Sequence, residues 1–116
     1  QIGGVRLVTA DIGEAGADAL RSLCDKALES GDDIIAVFAG KNAEKGTVSF
    51  ACRVGKKAIE CGAHAGNIVR EVARVAGGAG GGKPDSAMAG AKDISKIPEA
   101  LKKASEIVGA MLLGKR

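Results

Sequence analysis

Asp33-Ile34-Ile35-Ala36-Val37-Phe38-Ala39 is the stretch on which the fold turns. After Asp33 it is a continuous apolar run, as expected of a strand buried on both faces. Upstream, Val5-Arg6-Leu7-Val8-Thr9-Ala10 alternates and is rich in β-branched residues, so it reads as a second strand. Asp11 to Gly13 read as a turn. Between the strands, Glu14 to Glu29 have helical spacing, with Leu20, Leu23, Ala27 and Leu28 on one apolar face and Gly31 as the stop. Strand, helix and strand in that order predict a right-handed parallel crossover.

Downstream, Lys41 to Gly46 form a polar turn. Thr47 to Val54 then alternate, which predicts a hairpin with Val48, Phe50, Cys52 and Val54 on one side and Lys56-Lys57 at the strand exit. Residues 63–76 carry helical spacing through Ile68, Val69, Val72 and Val75. Gly62 and Gly66 near its start allow close backbone packing. A glycine-rich loop follows, then a short strand over 86–91. The last helix runs from Ile97 to about Leu113, with Ser95 as its cap and Ala100, Leu101, Ala104, Ile107, Val108, Met111 and Leu112 on its apolar side. The expected fold is α/β: one small mixed sheet, in the order strand–helix–strand–strand–helix–short strand–helix, with helices packed on it. No repeat or linker divides residues 1–116, which read as a single domain.

Composition narrows the function classes. With 116 residues and 27% charged groups the chain suits one globular domain. No apolar run reaches the ~18 residues of a membrane span, so no membrane partner is expected. The start, Gln1-Ile2-Gly3-Gly4, lacks a signal-peptide pattern and an initiator Met, which suggests an excised piece of a longer protein. Cys24, Cys52 and Cys61 form no CxxC pair and His64 has no second ligand pair, so neither a disulfide framework nor a zinc site is expected; the setting reads as cytoplasmic. Trp and Tyr are absent and Phe38 and Phe50 are the aromatics, so single-stranded bases cannot be read by stacked rings. Residues 1–33 carry three basic and seven acidic groups, whereas residues 34–116 carry fourteen basic and seven acidic ones, for a formal total of +3. Such asymmetry suggests one face turned to a polyanion.

Gly77-Gly78-Ala79-Gly80-Gly81-Gly82-Lys83-Pro84-Asp85 places five glycines within six residues. Glycine runs serve where backbone must approach another group closely, and consecutive N–H groups with a nearby Lys can hold an anion; a tight turn between helix and strand is the plainer reading. Gly77 to Lys83 also match the opening of the P-loop pattern GxxxxGK. Pro84, however, stands where a Ser or Thr hydroxyl must bind Mg²⁺, and a helix precedes the loop where a strand is required, so nucleotide hydrolysis is excluded.

Ala65-Gly66-Asn67-Ile68-Val69, the run from Gly77 through Ala91, and Ile97-Pro98-Glu99-Ala100-Leu101 together resemble the C-terminal domain of bacterial alanyl-tRNA synthetase, within the DHH-associated domain superfamily. Members often carry Lys at the position of Ala79, Arg at Lys83 and an apolar residue at Ser86. The resemblance implies a non-catalytic domain that contacts the elbow of tRNA and coordinates aminoacylation and editing on one tRNA. It implies no cofactor in this chain; ATP, magnesium and zinc belong to the rest of the synthetase, which is itself an implied partner together with tRNA and a second copy in a homodimer. On this reading Gly80, Gly81, Gly82 and Lys83 approach the RNA, and Lys56, Lys57, Arg70 and Arg74 meet its phosphates. Three alternatives stand beside it. One is the substrate-clamping domain of a DHH-type phosphodiesterase, disfavoured because Lys83 stands where those domains carry His. Another is an assembly module using the apolar faces of residues 62–76 and 97–113. The third is the tail of a freestanding alanyl-tRNA editing protein.

Overall fold

A computed structural model of the chain describes residues 5–113, with side chains through Met111. Five strands form one mixed sheet: β1 (Arg6–Glu14), β2 (Ile34–Asn42), β3 (Thr47–Val54), β4 (Ala79–Gly82) and β5 (Ser86–Ala91), in the spatial order β1-β2-β3-β5-β4. β1 and β2 are parallel, joined through helix α1 (Ala17–Leu28), and every other pairing is antiparallel. The expected α/β class, the parallel strand–helix–strand unit and the β2–β3 hairpin are all present.

Period-two alternation divides the sheet into two faces. Ile35, Val37, Val48, Phe50, Cys52, Val54, Ala87 and Ala91 are buried against helices α3 (Ala65–Val75) and α4 (Ile97–Leu113), which contribute Ile68, Val69, Val72, Ala100, Ala104 and Val108. On the opposite face, Ala36, Phe38 and Ala51 meet Leu20 and Cys24 of α1. The apolar faces of α3 and α4 thus lie inside this chain's own core. Leu112, expected on the apolar side of α4, lies outside the side chains described.

Several local readings change. β1 continues through Asp11–Gly13 to Glu14, because β2 is long enough to pair with it beyond a bulge at Ile12. Gly13 sits at φ 85°, and its N–H donates to the Asp11 carboxylate at 3.0 Å. The helix therefore starts at Ala17 rather than Glu14. Leu23 is 36% exposed; Leu20 and Cys24 form the buried stripe instead. Lys56–Glu60 form a short helix, α2, whose start is fixed by the Lys57 and Ala58 N–H groups donating to the Asp32 carbonyl at 3.0 and 3.3 Å. A 3-10 turn, Ile94–Lys96, precedes α4, and its cap is Asp93, whose carboxylate accepts from the Ser95 N–H at 3.1 Å. The glycine-rich segment is not a loop throughout, since Ala79–Gly82 is an edge strand in register with β5.

Arg6 anchors the start of β1 by a two-pronged pair with Asp33, Nε to Oδ2 at 3.2 Å and a terminal nitrogen to Oδ1 at 3.0 Å. That guanidinium holds the Asp33 carboxyl below its ordinary range. Burial pushes the Cys24 thiol up to about 12 and drives Cys52 in the same direction. The thiolate is the reactive form. Cys61, half-buried at the C-terminal end of α2, is therefore expected to be the one cysteine that a disulfide reagent modifies at neutral pH in the native protein. Cys24 and Cys52 should react only after unfolding. Fast reaction of two thiols in the folded state would contradict this packing.

Candidate nucleic-acid interface

The turn Lys83-Pro84-Asp85 joins β4 to β5, and its carbonyls point inward. The Lys83 and Pro84 carbonyls accept from Gly66 and Ala65 at 3.2 and 2.8 Å. These N–H groups open α3 and have no partner within the helix. The Asp85 carbonyl accepts from the Val54 N–H at 2.9 Å and from Arg53 Nε at 3.1 Å. Arg53 is in turn ion-paired with Asp25 of α1. The Lys83 N–H closes the turn onto the Ser86 carbonyl at 3.0 Å. Asp85 thus braces the segment through its carbonyl. With the main chain held from within, all three side chains are exposed.

His64 caps the same helix. Its Nδ1 accepts from the Asn67 N–H at 3.2 Å, and its own N–H meets Met111 Sδ at 3.2 Å.

The glycines of β4 divide by face. Gly80 and Gly82 are opposite Ala89 and Ala87, on the side of α3. A Cβ on Gly80 would overlap the Ala89 side chain, and one on Gly66 of α3 would come within 2.6 Å of the Gly82 carbonyl oxygen. Gly66 lets helix and strand touch backbone to backbone, and Gly80 lets β4 lie close against β5. Gly81 faces the other way, and a Cβ there would meet nothing within 4 Å. Because β4 is extended and paired with β5, the run does not fold into an anion nest.

On the α1 side the rows across the sheet read Ser49, Gly90, Ala79; then Ala51, Met88, Gly81; then Arg53, Ser86. Helix α1 packs on β2 and β3. The outer rows over β5 and β4 thus form a flat surface of small residues, with Ala79, Gly81 and Gly90 exposed. Two clefts at its end meet at Asp85. One is lined by Arg53 and Lys56, the other by Arg21, Gly81, Gly82 and Lys83.

The structure therefore brings together Lys56, Gly81, Gly82 and Lys83 of the residues selected from sequence. Lys57 is exposed beside Lys56 on α2. Gly80 is adjacent but its Cα faces the α3 layer. Arg70 and Arg74 lie on the outer face of α3, across the sheet from the flat surface. Arg70 donates to Asn67 Oδ1 at 2.6 Å, and Arg74 pairs with Glu71 at 3.3 Å. Arg21 and Arg53 were missed. Strand alternation had already set Arg53 opposite the buried Val54 and Cys52; Arg21 was concealed by the acidic segment around it.

A family model for the DHHA1 domain matches residues 4–110. The chain belongs to the DHHA1 domain family. This DHHA1 domain is 42% identical over 115 residues to the alanine–tRNA ligase of Acetivibrio thermocellus, a match covering 98% of this chain and 13% of that protein. It is 41% identical over 108 residues to the alanine–tRNA ligase of Shouchella clausii, covering 93% and 12% respectively. The crystal structure of the C-Ala domain from Aquifex aeolicus alanyl-tRNA synthetase superposes with a TM-score of 0.84 at 29% identity, covering 94% of this chain and 96% of that one. The resemblance to the synthetase's C-terminal domain is thereby borne out, as is the fold. The DHHA1 domain spans about an eighth of the length of the curated relatives it matches. No helix among the described residues is long and apolar enough to cross a membrane.

Proposed function

We propose that this domain is the tRNA-holding part of an alanine–tRNA ligase and lays its bare sheet surface against the elbow of the RNA. In this reading one tRNA remains held while it serves aminoacylation and editing elsewhere in the parent. ATP, magnesium and zinc enter only through that parent, in the cytoplasm. The observation that carries the proposal is the flat Ser49–Gly90–Ala79 and Met88–Gly81 surface ending in a cluster of Arg21, Arg53, Lys56 and Lys83. Folded RNA is recognised by shape, phosphates and exposed base faces. A side-chain-poor surface admits a flat base pair without aromatic rings, while the cations meet the adjoining phosphates. Lys57 extends the cluster along α2, and Gly80 and Gly82 place the edge strand. Arg70 and Arg74 flank that strand from α3 and are assigned to phosphates further along the RNA.

Salt dependence tests this. Each phosphate contact contributes ~0.7–0.9 to the slope of log affinity against log salt. Lys56→Ala/Lys57→Ala is expected to lower the slope by about 1–2 and weaken tRNA binding roughly tenfold at low salt. Asp85→Asn works in the opposite direction. It keeps the carbonyl brace, removes a negative charge between the two clefts, and should tighten binding by about twofold to fivefold at low salt. A lysine double variant with unchanged slope and affinity would remove this face from consideration.

A further inference from the structure

We propose that the cleft between the ends of α1 and α2 takes an unstacked guanosine of the bound RNA, with the Asp32 carboxylate on its base edge and Arg53 and Lys56 on its phosphate. The cleft has a volume of about 460 Å³, and Leu28, Asp32, Arg53, Lys56, Ile59 and Asp85 line it. That size, and apolar walls with a few charged groups, suit a small ligand. Leu28 packs with the cluster under α1, and Ile59 with the cluster under α3 and α4. The cleft thus lies at the end of the sheet, where the two layers part and each leaves one half-buried aliphatic side chain.

Main chain fixes its frame. The Asp32 carbonyl is held by the Lys57 and Ala58 N–H groups, and the Gly55 N–H donates to the Ile34 carbonyl at 2.8 Å. A Cβ on Gly55 would overlap the Asp32 carbonyl, so the two segments touch backbone to backbone. The Asp32 side chain takes no part in these bonds. Its neighbour Asp33 is engaged by Arg6, whereas Asp32 is in no ion pair among the described residues. Asp85 lines the adjoining cleft as well, so Asp32 is the carboxylate proper to this one. A cleft held in this way is formed before its ligand arrives, which lowers the cost of binding.

The carboxylate selects the base. When ionised it only accepts hydrogen bonds, through two oxygens side by side. Guanine carries two donors side by side on its Watson–Crick edge, N1–H and the N2 amino group, and can bond both oxygens at once. Adenine and cytosine set one amino group beside a ring-nitrogen acceptor. Uracil sets its one N–H between two carbonyls. Each of these three turns a lone pair toward the carboxylate. Unstacked bases are held between apolar side chains and read on this edge, which assigns Leu28 and Ile59 to the base faces. Arg53 is placed by its ion pair with Asp25 and its bond to the Asp85 carbonyl, and with Lys56 it meets the phosphate. The cleft adjoins the flat surface at Asp85. This assignment rests on the RNA reading above for the source of the guanosine alone.

The test is an amide-resolved NMR titration of the 116-residue chain at low salt. The probes are guanosine, inosine and adenosine monophosphates, a pentamer of adenosines, and the same pentamer with a central guanosine. Guanosine monophosphate should bind with a Kd of about a millimolar and shift the Gly55, Lys56 and Ile59 amides. Inosine monophosphate, which lacks the N2 amino group, should bind roughly fivefold more weakly, and adenosine monophosphate roughly tenfold. Asp32→Asn keeps the carbonyl that starts α2, and should erase the preference for guanine with unchanged circular dichroism and melting. The guanosine pentamer should bind more tightly than guanosine monophosphate, and the adenosine pentamer should leave Ile59 unmoved. Equal binding of the mononucleotides, no shift at these amides, or a guanine preference that survives Asp32→Asn would overturn the proposal. Guanosine monophosphate binding with no gain in the pentamer would assign the cleft to a free nucleotide and overturn its link to RNA. None of these failures would touch tRNA affinity or its loss in Gly81→Glu, so they are distinct from failure of the flat surface.

Discussion

Gly81→Glu is expected to weaken tRNA binding at least tenfold, about 1.4 kcal/mol or more, while the melting temperature stays within about 2 °C of wild type. The stability half follows from geometry. Gly81 faces open space, its φ is not in the left-handed region, and a side chain there has room to stand clear of the sheet. The binding half follows from the same geometry seen from outside. A glutamate would stand up from the middle of the flat surface, beside Lys83 and Arg21, and hold an RNA away by bulk and by charge. Filter binding or fluorescence anisotropy at two salt concentrations, alongside a thermal melt, measures both halves. High salt should recover only part of the loss, because screening removes the charge penalty and leaves the steric one. Undiminished affinity would mean that RNA does not contact the α1 side of β4.

Gly66→Ala is expected to reverse the usual sign of a helix substitution. Replacing glycine by alanine inside a helix ordinarily stabilises by ~0.8–1.0 kcal/mol. Here the added methyl would come within 2.6 Å of the Gly82 carbonyl oxygen and 2.9 Å of its nitrogen. Those atoms are main chain of a strand paired on its other side, and they cannot swing aside as a side chain would. Overpacking of this kind costs ~1–3 kcal/mol. The expected outcome is a net loss of about 1–2 kcal/mol and a melting temperature lower by roughly 5 °C or more. Gly81→Ala, in the same melt, should show no such loss. A stabilised Gly66→Ala would mean that α3 and β4 are further apart than described. RNA affinity should fall too, because Gly66 and Ala65 hold the Lys83 and Pro84 carbonyls.

These two glycines also mark where sequence ceased to be informative. The β1–α1–β2 unit and the β2–β3 hairpin were legible because their burial follows periods of 3.6 and 2. β4 was not. Ala79–Gly82 offers no hydrophobic period, and glycine is disfavoured in strands. It is extended because it pairs with β5, and at Gly80 and Gly82 an added Cβ would run into Ala89 and Ala87 of that neighbour. Helix α2 was equally silent, being a five-residue segment nucleated by the Asp32 carbonyl, more than twenty residues earlier. For the site, Lys56, Gly81, Gly82 and Lys83 were chosen from sequence and are found together. Arg53 required knowledge of which strand face stays uncovered. The relation of Arg70 and Arg74 to the flat surface required knowledge that α3 lies in the opposite layer.

The inward carbonyls of Lys83, Pro84 and Asp85 have a consequence for how such a domain can diverge. Anchorage that runs through peptide groups is indifferent to what projects from the Cα atoms of Lys83 and Asp85. Relatives are therefore free to retune polarity at this tip, one step at a time, without remaking the mount beneath it. Drift should concentrate in the projecting groups, while the glycines that seat the mount stay put.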